Sequence, residues 1–499
     1  MIKCPLLNRR FQKIYVYRTE QSYLLLCMDQ LKNNNKIVSI SRTSIELSMK
    51  MFQETYTFRE GLHAVAKILI EEEGARKNET ASYVLSKFFV CKCYGILGYP
   101  RFLDGHYLFL ITKRAKVADL LGGSVYRVVE AKLENVLNQE RSCLYRMTST
   151  KSAEIKYIEY FNYMDVSGFY FSYDLDLTNS FQRQFQARET GVKCELDDTF
   201  VWNSYITSPL EGMQVCSELL LPVIYGYAEF KPMRIGSRDF TLGIVSRRGR
   251  FNAGTRFLRR GINEQGNVAN FVETELILLE YFPMSNELKT VNAFAFVRGS
   301  IPLFWGHEKS AINPKPKIIM SPERDPQFAK TESHFKSLCG RYGETIFCLN
   351  LVKKGEKSSE FALGAGYKNF IDLASRRRMA EGQRPNLRWE WLDFFAFYQR
   401  SEKMLIRQVQ KLAREDLKVV SLFHRSALAG KPRTQDGVIR VNCVDCLDRT
   451  NNVMAIISSV VLAKMLRLCG VENQNVFDEN IRAVKDETMS VLFEMWGVC

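Results

Sequence analysis

The sequence predicts an α/β protein, α+β overall. A mixed, β-rich N-terminal domain spans residues 1–165, and an α/β domain over residues 166–499 carries a Cys-x5-Arg anion-binding loop between a strand and a helix. Three observations predict this. Short runs of branched and aromatic residues, bounded by polar turns, crowd the first part of the chain. The texture shifts at Asp165-Val-Ser-Gly, where Phe169-Tyr-Phe-Ser-Tyr opens an aromatic-rich segment. Near the end, Val438, Ile439 and Val441 read as a short buried strand and Thr450 to Leu468 as a helix with few breakers, joined by a tight loop from Cys443 to Arg449.

In chain order, Lys13-Ile-Tyr-Val-Tyr, Tyr23-Leu-Leu-Leu-Cys and Lys36-Ile-Val-Ser-Ile predict strands of one sheet, with Asn33-Asn-Asn35 as a turn between two of them. The segment beginning His63-Ala-Val-Ala-Lys-Ile-Leu-Ile has apolar residues at helical spacing and is expected to pack on that sheet. Gly95 to Thr112 alternates strand, Gly-containing turn and strand, the pattern of a hairpin. Beyond it no repeat and no long low-complexity linker interrupts the second domain. Its basic runs, Arg247-Arg248-Gly-Arg250, Arg256 with Arg259-Arg260, and Arg376-Arg377-Arg378, read as solvated loops. Trp389-Glu-Trp-Leu-Asp-Phe-Phe-Ala-Phe-Tyr398 has the pattern of an amphipathic helix but is read as core packing, and Trp305, Trp389 and Trp391 are expected in the core rather than as membrane anchors.

Composition bounds the function classes. At 499 residues, 46% hydrophobic and 25% charged, the chain can bury a sizeable core, which excludes disorder and fibrous architectures. A net charge of +15 favours an anionic partner, whether nucleic acid, phospholipid or phosphorylated substrate. The basic runs lack interleaved aromatics, and no zinc finger, helix-turn-helix or RNA-recognition strand accompanies them, so nucleic acid is not expected. Thirteen cysteines, an odd and dilute set, fit a reducing compartment better than a disulfide scaffold. The N-terminus is a poor signal peptide, and the longest apolar run, Ala455 to Leu462 continuing to Met465, is broken by Ser458, Ser459 and Lys464. No transmembrane segment is expected, which leaves a soluble protein or one held on a membrane surface by charge or partners.

One loop carries chemistry. A loop ending at a helix N-terminus presents several backbone N–H groups and the positive end of the helix dipole, which together bind a phosphate-sized anion. The same field is expected to lower the pKa of a thiol at the loop's start, which makes Cys443 a candidate nucleophile. Arg449 closes the loop with a planar fork that holds two phosphoryl oxygens. Attack of the thiolate on phosphorus would form a phosphocysteine that water then hydrolyses. Thr450 could donate its hydroxyl to the sulfur, and either Asp445 or Asp448 could protonate the departing alkoxide, with nothing in the sequence to choose between them.

Cys443 and Cys446 also form a Cys-x-x-Cys pair, the pattern of a redox dithiol or half of a zinc site. No second such pair completes a zinc centre, Cys91-Lys-Cys93 is wrongly spaced, and His63, His106, His307, His334 and His424 are scattered, so no metal or other cofactor is expected. Cys446 reads instead as a buried neighbour or a resolving thiol.

The stretch Arg440-Val-Asn-Cys-Val-Asp-Cys-Leu-Asp-Arg-Thr-Asn451 resembles the signature of the Sac-domain phosphoinositide phosphatases at every defining position. Ala253 to Glu275 and Phe296-Val-Arg-Gly-Ser-Ile-Pro-Leu-Phe-Trp305 are similar to that family as well, so the resemblance covers nearly the whole chain. It implies hydrolysis of an inositol-ring phosphomonoester, with Cys443, Arg449, Asp445, Asp448 and Thr450 in catalytic positions. Asn442, Val444, Cys446 and Leu447 are implied to bind substrate. It further implies that Arg256, Arg259 and Arg260 lie near the catalytic half and hold a second ring phosphate or the lipid diester; the alternative is structural pairing with Glu273 and Glu275.

Arg101 to Asp119, with Val125-Tyr126 beyond, is most similar to the polyphosphoinositide phosphatases that accompany PIKfyve-type lipid kinases. That likeness implies the 5-phosphate of phosphatidylinositol 3,5-bisphosphate as target. It also implies anionic phosphoinositide membranes, a lipid kinase and a HEAT-repeat scaffold as partners, and a cytosolic protein peripheral on endosomal or vacuolar membranes. Lys113, Arg114 and Lys116 could add attraction to anionic lipid. Phosphatidylinositol 4-phosphate hydrolysis, a protein phosphotyrosine phosphatase and a catalytically weak scaffold are the alternatives. The chain stops at Phe493-Glu-Met-Trp-Gly-Val-Cys499, where the family continues into an acidic Gly-Asp pair and a Gln-Tyr pair, so a catalytic domain shortened at its C-terminus is expected.

Overall fold

The computed structural model describes the chain except residues 1–10, 30–33, 45, 74–79, 104, 138–147, 211–218, 220, 256–257, 284, 286, 309–315, 429–430, 472–476, 479–482, 485 and 499. The chain divides into two compact units: Pro5–Thr178 with Leu196–Tyr225, and Asn179–Glu195 with Gly226–Cys499. A boundary after residue 165 therefore falls inside the first of them.

In the N-terminal unit, β1 (Lys13–Arg18), β2 (Ser22–Met28), β3 (Lys36–Ser41), β4 (Met49–Met51) and β5 (Phe89–Cys93) form an antiparallel sheet of order β4-β3-β2-β1-β5. The unbroken apolar run of β2 has its reason here, because the strand is buried on both faces. Leu24 and Leu26 meet Val65 and Leu69 of α1 (Phe58–Glu73) and Val84 of α2 (Ala81–Phe88). Tyr23, Leu25 and Cys27 meet Ile96, Leu108 and Leu110. Those last residues belong to the expected hairpin, β6 (Ile96–Gly98) paired antiparallel with β7 (Tyr107–Leu120). β7 continues into a long pairing with β8 (Gly123–Asn135), and β9 (Phe169–Ser172) pairs with β8 and with Ile224 and Tyr225. Of the three cations considered for lipid attraction, Lys113 pairs with Glu130 at 2.6 Å and Lys116 with Asp119 at 2.7 Å. The Arg114 guanidinium lies 3.9 Å from the ring centre of Tyr126, between Tyr94 and Tyr173. Lys113 and Lys116 stay exposed in these surface pairs, whereas Arg114 is held among the three rings.

The second unit is a three-layer α/β arrangement. Its sheet runs β17-β16-β19-β13-β12-β11-β10, built from β10 (Ile224–Ile235), β11 (Arg238–Arg248), β12 (Val272–Tyr281), β13 (Leu288–Arg298), β16 (Ile346–Asn350), β17 (Leu387–Trp391) and β19 (Val438–Asn442). β10 to β13 form an antiparallel meander, whereas β13, β19, β16 and β17 are parallel neighbours. β14 (Trp305–His307) and β15 (Ile318–Met320) form a separate hairpin, and β18 (Phe423–Ser426) pairs with β13.

Strand alternation sorts the side chains to two faces. Phe296, Phe347, Ile439 and Val441 pack against α8 (Glu402–Val420) and α9 (Asp448–Leu468). Val297, Ile346, Cys348 and Val438 pack against α5 (Ala329–Tyr342) and α6 (Phe361–Ala380). Further helices are α3 (Thr148–Asn162), α4 (Phe181–Thr190), α7 (Phe394–Arg400) and α10 (Asp486–Val498), besides a single turn at Ser204–Thr207. α10 places Trp496 edge-on to Phe296 at 5.7 Å, and its indole N–H donates to Ser458 at 3.0 Å. At 21 residues, α9 is the one described helix long and apolar enough to cross a membrane, and most of it is buried in this core.

Three sequence expectations change. Arg376, Arg377 and Arg378 lie on helix α6 and not in a loop. Arg247 is not in a solvated loop: it is 1% exposed and holds Glu273 and Glu275 beneath the sheet, the latter at 2.8 Å. Trp389 and Trp391 sit on strand β17 rather than on a helix, because a short apolar-aromatic run beside a parallel neighbour fits either period. Trp305 is buried, as expected.

Candidate active site

The last strand before the loop enters through Gly437, whose φ of +128° and close approach to the Thr345 carbonyl leave no room for a Cβ. Arg440, fully buried, donates to the Ser300 carbonyl at 2.7 Å and reaches His334, Tyr367 and Asn442. The Asn442 amide donates to Asn350 at 2.6 Å, across the two parallel strand ends. Asn442 thus ties β19 to β16 with a buried side chain and fixes the start of the loop.

The chain then turns sharply. Cys446 adopts a left-handed φ of +57°, a conformation that costs a non-glycine residue about 1 kcal/mol or more. The turn aims the Cys446 N–H at the Cys443 sulfur, 3.0 Å away. The Cys446 thiol donates back to the Cys443 carbonyl at 3.4 Å. Arg298, at the end of β13, braces the loop from outside by donating to the Cys446 carbonyl at 3.2 Å and to the Asn451 side chain. Sequence reasoning assigned Arg298 no role. Its only signal was its place in the Phe296-Val-Arg-Gly-Ser stretch that resembles the family. The helix begins at Asp448, so Arg449 stands in its first turn and not in the loop. Leu447 at the N-cap offers no side-chain acceptor, which leaves the amides of the first turn to a ligand.

Cys443 is buried, and its thiol donates to Asp445 Oδ1 at 3.2 Å. Burial pushes that thiol well above its ordinary range. The Cys446 thiol and the Asp445 carboxylate add to the effect, while the Arg449 charge pulls the other way. The pKa of the neighbouring Cys446 thiol is drawn down to about 7, first by its hydrogen bond with Cys443, so the two sulfurs titrate together and share one thiolate. Thr450 is buried and donates to the Leu447 carbonyl at 2.7 Å, so its hydroxyl caps the loop instead of serving the sulfur. Asp448 and Leu447 are exposed, and Val444 and Asp445 are half-buried.

Val444, Asp445, Asp448 and Arg449 open onto a cleft of about 1030 Å³. Arg260, His307, Lys317, Lys353 and Glu360 stand on its walls, with Phe395 and Tyr398 from α7 as apolar lining. Arg260 thus lines the cleft. Arg259 is exposed and does not line it, and Arg256 lies outside the described residues. Among the described residues it is Arg247 that holds Glu273 and Glu275, with Tyr342 donating to Glu273 and the Phe181 amide to Glu275 at 2.8 Å. Glu360, just before α6, grips the Arg449 fork and also went unforeseen. Among the described residues no three His, Cys, Asp or Glu side chains converge as a metal site.

A thiol at the start of a loop leading from a parallel strand into a helix N-terminus, with a guanidinium in that helix's first turn, defines a protein of the cysteine-arginine anion-loop class. The SacI homology domain family model matches residues 94–399, and the chain belongs to that family. Phosphoinositide phosphatase SAC5 of Arabidopsis thaliana is 30% identical over 94% of this chain and 62% of its own length. A polyphosphoinositide phosphatase of Schizosaccharomyces pombe is 31% identical over 95% of this chain and 55% of its own. Phosphatidylinositol-3-phosphatase SAC1 of Saccharomyces cerevisiae is 30% identical over 75% of this chain and 58% of its own. The chain spans less than two thirds of the length of each of these relatives.

Proposed function

We propose that the protein is a phosphoinositide phosphatase that hydrolyses a ring phosphomonoester through a phosphocysteine on Cys443. The observation that carries this reading is the convergence of the Cys443 loop, Arg449 and three further cations, Arg260, Lys317 and Lys353, on one cleft large enough for an inositol headgroup. The phosphoryl group takes the Arg449 fork and the first-turn amides. The Cys443 thiol gives its proton to Asp445, its hydrogen-bond acceptor, and the thiolate attacks phosphorus as the P–O bond to the ring breaks. Asp445 then protonates the departing alkoxide, and water cleaves the S–P bond to release inorganic phosphate and restore the thiol. The contact of Asp445 with the sulfur favours it over the solvent-exposed Asp448 as the proton carrier.

The cations around the cleft suit a second ring phosphate. Together with the likeness of residues 101–119, they support phosphatidylinositol 3,5-bisphosphate, cleaved at the 5-position, as substrate. Two relatives are named phosphatidylinositol-3-phosphatases, and the family resemblance makes phosphatidylinositol 4-phosphate the rival substrate. Action on endosomal or vacuolar membranes, beside a lipid kinase and a HEAT-repeat scaffold, rests on the same likeness. A second reading, a scaffold with little turnover, is favoured by one observation: the Arg449 fork is already engaged by Glu360.

Phosphate release from the mono- and bisphosphorylated inositides, wild type against Cys443→Ser, tests these readings. Release confined to the wild type and greatest from the 3,5-bisphosphate is expected. Equal release from both proteins removes the enzymatic reading, and a maximum with the 4-phosphate overturns only the choice of substrate.

A further inference from the structure

A second concave, cationic feature lies away from the cleft. α8 and α9 run side by side in the same direction: Gln410 donates to Ser459 at 3.4 Å and, further along both helices, Lys464 donates to the Leu417 carbonyl at 2.7 Å. Their C-terminal halves enclose a pocket of about 440 Å³ with Leu417 and Val460 as its floor. Lys411, Arg414, Lys418, Lys464 and Arg467 line it with one carboxylate, Glu415. Spacing explains the cluster, because residues 411, 414 and 418 share one face of α8, and 460, 464 and 467 share one face of α9.

Cations near helix C-termini ordinarily complement the dipole. Two helix ends supply only about one negative charge between them, however, which is fewer than the charges of Lys411, Lys418 and Lys464 alone. No carboxylate pairs with Lys411, Lys418 or Lys464 among the described residues. The Lys464 ammonium is held below its ordinary pKa, by burial first and then by Arg433. A solvated helix face does not show an apolar floor with a half-buried ammonium; an anion-binding pocket does.

The geometry points to a binding site for a compact polyanion carrying two or more phosphates, seated between α8 and α9 on Lys411, Lys418, Lys464 and the forks of Arg414 and Arg467. The site is distinct from the cleft: Lys464 lies sixteen residues along α9 from Asp448, about 24 Å at 1.5 Å per residue. Guanidinium forks take phosphate oxygens in pairs and the lysines serve as point charges, so affinity rises with the number of phosphates on the ligand. A soluble inositol polyphosphate and a membrane phosphoinositide headgroup share this chemistry. The inference does not depend on the proposed hydrolysis.

Calorimetric titration of the full chain with inositol hexakisphosphate, alongside flotation with phosphatidylcholine vesicles with and without phosphatidylinositol 3,5-bisphosphate, tests it. Lys411→Ala with Lys418→Ala removes two exposed charges, and Lys464→Gln removes the third while keeping a donor for the Leu417 carbonyl. The expected result is a Kd for the soluble probe at least tenfold weaker in both variants, with phosphate release and melting temperature unchanged. Loss of the soluble probe alone assigns the site to a free polyphosphate, and loss of vesicle recruitment as well assigns it to a lipid headgroup. A wild-type protein that binds neither probe overturns the inference. So do variants that bind both probes within twofold of wild type, or abolition of all binding by Arg449→Ala alone.

Discussion

Glu360 holds Arg449 by both prongs of its guanidinium, Oε2 accepting from Nη1 at 3.0 Å and Oε1 from Nη2 at 3.4 Å. Each side chain is only about one-seventh exposed, and the Lys353 amide orients the same carboxylate by donating to it at 3.0 Å. A bidentate fork satisfied by a carboxylate is the fork a phosphoryl group needs. In the proposed reaction, substrate must displace Glu360, and part of the binding energy is spent doing so.

Glu360→Gln removes the charge from that competitor. The KM for a soluble short-chain phosphoinositide, and the inhibition constant of inorganic phosphate, should both fall by about three- to tenfold, the equivalent of roughly 1 kcal/mol. Steady-state kinetics with phosphate as product inhibitor reads this. Unchanged constants in a variant that melts like wild type would show that Glu360 merely packs.

Asp445 and Asp448 separate by position. Asp445→Asn should lower kcat by about 10²- to 10³-fold, since it removes the carrier for the thiol proton and the leaving-group proton together. Asp448→Asn, altering an exposed side chain, should leave kcat within about threefold. The reverse ranking would reassign the general acid.

Arg247 lies between two buried carboxylates, and burial pushes Glu275 up despite the attraction of that guanidinium. Arg247→Met leaves both without a cation and should cost about 3–5 kcal/mol in urea unfolding. Adding Glu273→Gln and Glu275→Gln should recover most of that loss, because the penalty comes from uncompensated charge. A single variant as stable as wild type would contradict this.

Asp416 on α8 has its pKa pushed up to about 7, mainly by burial, with Glu415 and Glu390 adding and Arg388 opposing. Between about pH 4 and 7 the folded protein keeps a proton that the unfolded chain has released. The resulting stability is complete below the unfolded value and lost as pH rises through the folded one. Asp416→Asn mimics the protonated form, so it should match wild type near pH 4 and exceed it above pH 7, by at most about 4 kcal/mol. Melting curves at the two pH values read the difference; a gap of equal size at both would refute it.

Much of the second unit could be read from residues alone. Val438, Ile439 and Val441 are strand residues, and the segment from Thr450 lies wholly within helix α9, because a short apolar run and a long breaker-free one leave little choice of period. Arg247 escaped such reading, since a basic run looks solvated until the partners on the neighbouring strand are known, and Glu273 lies opposite it in register. Glu360 was equally opaque, being 89 residues from Arg449 in sequence.

The sequence by itself determined that a thiol and a guanidinium flank one tight turn at a helix start, because the interval between Cys443 and Arg449 and the pattern on either side are local properties. Only the tertiary structure decided the electrostatic state of that turn. A thiol's pKa depends on what surrounds it in three dimensions: burial pushes Cys443 up, the hydrogen bond between the two thiols draws Cys446 down to about 7, and the Arg449 fork is taken by Glu360.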